Sequence, residues 1–149
     1  MRLPLLVTLL GYAGLLPFIA GPLWFTLAPG AAPAWLDAMW LAYVTLLAAF
    51  LAGTFWGFAL PAMQGPAGIL GMFIASVLML LTWLTMALAG TLRLEAMILV
   101  FALLLLADFW RERTLDTLPG YFALRTTLTV GAIAAIAWRL ALWRMGTEQ

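Results

Sequence analysis

Five apolar runs fill almost the whole chain: 3–27, 38–60, 67–89, 94–110 and 122–143. A helix needs about 20 apolar residues, within a range of roughly 17–25, to cross the hydrocarbon of a bilayer, and each run reaches that length. Backbone N–H and C=O groups cannot stay unpaired in lipid, so runs of this kind fold as helices rather than as loops or open strands. The links between them, 28–37, 61–66, 90–93 and 111–121, are short. Short links make successive helices antiparallel. The expected fold is all-α: one transmembrane domain, 1–149, built as a bundle of five membrane-spanning helices with its termini on opposite sides.

Composition agrees with that class. Of the 149 residues, 66% are hydrophobic and 9% charged, and the mean hydropathy is +1.11. A soluble domain carries about 25% charged residues, so the surroundings of this chain are expected to be a lipid bilayer. A net charge of +1 leaves no basic footprint for nucleic acid. Cys and His are both absent. Their absence excludes disulfides, Cys/His zinc sites, thiol chemistry and c-type haem attachment, and it removes the side chain most used for proton transfer at neutral pH. The first apolar run is far longer than the apolar core of a signal peptide, about 7–15 residues, and so reads as a membrane span. Arg residues near the span ends set the orientation. Arg2, Arg111, Arg113 and Arg125 fall on one side, and Arg93, Arg139 and Arg144 on the other. This balance favours a cytoplasmic N-terminus.

Small residues mark where helices touch, because close packing rather than apolar burial holds helices together in lipid. The first span places Gly11, Gly14 and Gly21 on one face; the second carries the GxxxG pattern of Gly53 and Gly57; the fifth has Thr127, Gly131 and Ala135 at steps of four. Each is expected at a contact inside the bundle or between copies of the chain. Pro17 and Pro22 should kink the first span. Trp24, Trp35, Trp40, Trp110, Trp138 and Trp143 fall near span ends, where indole rings prefer the interface. Trp83 lies deeper, on one face with Met72, Ser76, Met79 and Met86. That stripe reads either as a core seam, since Met fills irregular gaps, or as a wall for a flat apolar ligand.

Charges inside the apolar runs cost the most. Every residue between Glu95 and Asp108 is apolar, a rise of roughly 20 Å against hydrocarbon about 30 Å thick. One carboxylate must therefore be buried or the bilayer must thin. An ionised Asp at mid-helix costs roughly 2.5–3.5 kcal/mol on insertion scales. Asp108 and Arg125 flank the same link at similar depth, so an ion pair between them is expected, either as a clasp for that hairpin or as the polar floor of a pocket. Arg111 and Arg113 are expected to remain solvated on the link side.

Several segments, taken in order, carry a likeness: Leu10–Phe18, Phe50–Gly57, Leu81–Leu84, Asp108 with its Arg neighbours, and Pro119–Thr129. The chain resembles a family of small membrane proteins of unknown function found in proteobacteria and mitochondria, whose mitochondrial member is transmembrane protein sixty-nine. The resemblance spans nearly the whole chain and implies a bacterial inner (cytoplasmic) membrane location; it implies no reaction. A His commonly precedes the Trp-Gly pair in that family, and Phe55 stands there in this chain. In size and Trp content the chain is also similar to the tryptophan-rich sensory protein, or translocator, family, but its first link lacks that family's Trp-Pro-Pro run.

Two functional readings follow. The first is a non-enzymatic accessory or assembly subunit that packs beside a larger membrane complex or a second copy of the chain. The second is a binder or carrier of a quinone, tetrapyrrole or lipid, with Met72, Ser76, Met79 and Trp83 as its wall. An intramembrane enzyme finds no support in the residues, for no nucleophile–base pair stands in the sequence and no cofactor is indicated.

Overall fold

The computed structural model describes residues 4–114 and 120–146. All regular structure among the described residues is helical: α1 (Leu5–Ala13), α2 (Leu16–Leu27), α3 (Leu36–Ala59), α4 (Pro66–Leu84), α5 (Gly90–Thr114) and α6 (Tyr121–Gly146), with single 3₁₀ turns after α2, α3 and α4. Four stretches are long and apolar enough to cross a membrane: Leu5–Leu27, Leu36–Ala62, Pro66–Ala87 and Tyr121–Gly146. The chain is thus a multi-pass helical membrane protein. The remaining rod, α5, fourth in chain order, has 25 residues and carries charges near both ends. It runs on to Thr114, so Arg111 and Arg113 are helical rather than part of a link; residues 115–119 and Arg2 lie outside the described residues.

α2 packs between α3 and α6, α4 between α3 and α5, and α5 against α6, which closes a ring; α3 also meets α5 across it. Two links turn through glycines with positive φ, Gly90 at 63° and Gly120 at 81°, a conformation that costs Gly nothing and other residues a clash at Cβ. Phe18, Val44, Ala48, Phe55, Met97, Phe101, Leu104 and Ile136 form the centre. On α5 the inward face is Leu94, Met97, Phe101, Leu104, Asp108 and Arg111, at steps of three and four, which is the spacing of a single helix face. The stripe that buries apolar side chains therefore carries two charges into the bundle at its far end.

The first rod is broken as the prolines require, and the break has a repair. Between α1 and α2 the chain turns at Gly14 and Leu15, ahead of Pro17. Pro22 sits inside α2 without an N–H to give to the carbonyl of Phe18, four residues earlier. The Trp40 indole N–H on α3 donates to that carbonyl instead, at 3.0 Å. One turn further along α3, the Tyr43 hydroxyl donates to the carbonyl of Gly14 at 2.6 Å. Trp40, expected at the interface, is in fact buried, because an indole supplies both the apolar bulk and the donor that this place needs. Gly21 admits it: a Cβ there would lie 2.5 Å from the Trp40 ring.

Candidate functional site

Asp108, on the inward stripe of α5, receives two guanidinium groups. Arg125, in the first two turns of α6, donates from Nε to Oδ2 at 2.9 Å. Arg111, one turn after Asp108 on α5, approaches Oδ1 through its Nε at 3.4 Å. All three are buried, with Asp108 and Arg111 at 0% exposure and Arg125 at 1%. Arg125 spends its remaining edge on α3, donating from Nη1 to the Thr54 hydroxyl and from Nη2 to the carbonyl of Leu51 at 3.1 Å. The Thr54 hydroxyl in turn donates to the same carbonyl at 2.8 Å. One side chain thereby ties α3, α5 and α6 together.

The expectation that Arg111 stays solvated is corrected. Its place three residues after Asp108 puts it on the buried face, where its guanidinium lies 4.7 Å from the Phe58 ring centre and 5.6 Å from that of Tyr121. Ring faces offset part of the lost hydration. Its Nη1 and Nη2 make no hydrogen bond among the described residues. Among the described residues, the cluster holds two cations against one carboxylate. Arg113 does remain exposed, with its guanidinium 4.2 Å from the Phe109 ring centre.

A second feature opens on the outer side of α3 and α4. Trp56, Met63, Ile69, Met72, Phe73 and Ser76 line a groove of about 450 Å³. A neighbouring hollow of about 230 Å³ is lined by Ala52, Gly53, Trp56, Ala75, Ser76 and Met79. Met72, Ser76 and Met79 thus share one wall. Trp83 does not belong to it: at 62% exposure it points away from the bundle, which also excludes the core-seam reading for this end of the stripe. The polar part of Ser76 is directed inward to its own helix, donating to the Met72 carbonyl at 3.0 Å.

The glycines divide. A Cβ on Gly11 would meet Leu124 at 3.0 Å, and one on Gly131 would meet Leu15 at 3.0 Å, so α6 lies close against the first rod at both positions; Gly14 faces Tyr43. Gly53 and Gly57 are different from what the GxxxG spacing suggests. A Cβ on either meets nothing within 4 Å, and both are exposed. α3 turns its bulkier Val44, Leu51 and Phe55 toward the core, which leaves the glycine face outward.

Comparison with known proteins agrees with this membrane architecture. The family described as "Protein of unknown function (DUF3429)" matches residues 3–141. The chain belongs to that family. A curated relative, "Transmembrane protein 69" of Xenopus tropicalis, is 34% identical to this DUF3429 chain over 134 residues, which are 88% of the chain and 52% of the relative. The chain therefore spans about half the length of the curated relative it matches. No solved structure matches it.

Sequence reasoning missed Thr54, Arg111 and the Trp40–Tyr43 pair. A signal existed for two of them. Arg111 lies at i+3 from Asp108, and a proline inside an apolar span leaves a carbonyl that some donor must meet. Nothing in the spacing of α3 singles out Thr54 over the other hydroxyls.

Proposed function

We propose that this chain is a non-enzymatic protein of a bacterial inner membrane, an accessory or assembly subunit that crosses the bilayer five times and docks a helix of another membrane protein against α3. The observation that carries the reading is the vacant Gly53–Gly57 face. Two glycines four residues apart let a second backbone approach closely, which is how helices associate in lipid. Among the described residues nothing uses that approach, although Trp56 and the Met72–Met79 wall border it like the side of a slot. The buried Asp108 cluster, by contrast, is taken up with holding α3, α5 and α6 together.

Five crossings are supported by α5 itself, whose 25 residues rise roughly 37 Å and whose charges at Asp108 and Arg111 are shielded inside the bundle. The Arg balance in the sequence supports a cytoplasmic N-terminus.

The test uses Gly53→Leu/Gly57→Leu. Because these positions touch nothing among the described residues, the variant should fold and melt like the parent. Purified from its own membranes in mild detergent, the parent should elute as a stoichiometric complex with a defined partner, and the variant should elute without it. An unchanged complex would refute docking at this face. A second reading, binding of an apolar small molecule, is favoured by the 450 Å³ groove with its Met lining. It requires a quinone, tetrapyrrole or lipid at fixed ratio in the purified parent, lost when Met72 and Ser76 are replaced by larger side chains.

A further inference from the structure

The end of the bundle opposite Asp108 holds a different kind of site. The last turn of α2, the 3₁₀ turn after it and the last turns of α6 frame a cleft of about 610 Å³, whose lining includes Phe25, Thr26, Pro29, Arg139 and Trp143. Among the described residues, Arg139 is the only ionisable one lining it. Its side chain is 8% exposed and its Nε donates to Asp37 Oδ1 at 3.0 Å. The guanidinium is clamped between rings, 4.0 Å from the centre of Phe25 and 5.3 Å from that of Trp143. Asp37 and the two rings fix the plane of the fork, and Nη1 and Nη2 make no hydrogen bond among the described residues.

The Thr26 hydroxyl in the cleft offers no donor. It gives its proton to the Pro22 carbonyl at 2.8 Å and accepts from the Trp138 indole at 3.0 Å. The cleft therefore presents one rigid guanidinium edge, with the Trp143 indole as its other side-chain donor, and apolar or aromatic surface elsewhere. Its ligand must accept hydrogen bonds at one end and be apolar at the other. Asp37 balances this charge from the Nε side and does not line the cleft, so the guanidinium edge toward the cleft is the cationic side of the pair. A planar fork with two free N–H₂ groups matches a tetrahedral phosphate oxygen pair, and the apolar wall beside it suits an acyl chain.

We propose that this cleft is a site for an anionic phospholipid, with the phosphodiester on the Nη edge of Arg139 and an acyl chain along the apolar wall. The site is separate from the α3–α4 groove and does not depend on what docks there.

The experiment is native mass spectrometry of the full chain in detergent, delipidated and then offered phosphatidylglycerol, phosphatidylcholine or inorganic phosphate. The parent should retain one phosphatidylglycerol in preference to the other two. Asp37→Asn/Arg139→Gln removes both charges together, so no lone ion is left in the cleft, and it should weaken retention about tenfold or more, the equivalent of one charge-assisted hydrogen bond. Gly146→Trp keeps the ion pair and fills the cleft from a position whose Cβ meets nothing within 4 Å; it should cause a similar loss even if the first variant folds poorly. Arg144→Gln, a change at an exposed arginine, should retain lipid as the parent does. Equal retention by the parent and Gly146→Trp overturns the proposal. So does equal binding of phosphatidylcholine, binding of phosphate alone, or a loss seen only with Arg144→Gln.

Discussion

Replacing Asp108 by Asn should be more damaging than replacing either arginine that faces it. The structure sets this order. Asp108→Asn leaves Arg111 and Arg125 buried side by side with no carboxylate between them, and an uncompensated buried charge costs about 3–5 kcal/mol. Arg125→Gln leaves Asp108 with Arg111 still 3.4 Å away. It loses the 2.9 Å contact to Asp108 and the donors to Thr54 and Leu51, at about 1.5–3 kcal/mol each. It also removes one of two buried cations, whose desolvation costs several kcal/mol, so the net loss should stay below that of Asp108→Asn. The double variant removes one cation and the anion together, so its loss should fall short of the sum of the single losses by about 0.5–3 kcal/mol, the range for side chains in one network. The assay is reversible unfolding in detergent followed by circular dichroism, with all four proteins in the cycle. Additive losses within about 0.5 kcal/mol would mean that the two side chains do not interact. An Arg125→Gln variant less stable than Asp108→Asn would refute the sharing of one carboxylate by two guanidiniums.

The other predictions concern α2 and α3. Trp40→Phe should cost about 1 kcal/mol or more for the donor to Phe18. The same change made in a Pro22→Ala background should cost less, because the alanine introduced there would supply its own backbone N–H to that carbonyl; equal costs in the two backgrounds would sever the link between them. Gly21→Leu should lower the melting temperature sharply, since its Cβ would already lie 2.5 Å from Trp40. Gly57→Leu should leave the melting temperature of the isolated chain within a degree or two of the parent, and a large drop would mean that α3 does use this face internally.

The helical, multi-pass class was legible in the sequence because length and apolarity leave a chain in lipid few alternatives. The meeting of Asp108 with Arg125 was legible for a related reason: a short acidic side chain within a span is costly enough to demand a partner, and the hairpin offers one at matching depth. Arg111 was misjudged because three charged residues in a row, Arg111 to Arg113, look like a link, whereas a helix that continues past them assigns each a different face. The GxxxG spacing told that α3 has a smooth side but not which way that side turns. That depends on where Val44, Leu51 and Phe55 find their partners, and those partners lie on other helices. Trp83 shows the same gap: depth in a span separates interface from interior but does not separate lipid from core.

The repair of the first rod by α3 has a consequence for biogenesis. While the chain emerges, α2 enters the membrane with its Phe18 carbonyl unpaired, and such a group in hydrocarbon costs several kcal/mol. The donors that meet it and its neighbour at Gly14 lie on one face of the next span, at Trp40 and Tyr43. The first rod should therefore be a poor membrane segment on its own and become a good one only when the second arrives, so the two insert as a hairpin. In reporter-tagged truncations, a chain ending before Trp40 should show incomplete insertion of the first rod, and one that includes all of α3 should restore it. Full insertion of the shorter chain would show that the stranded carbonyl finds another donor before α3 is made.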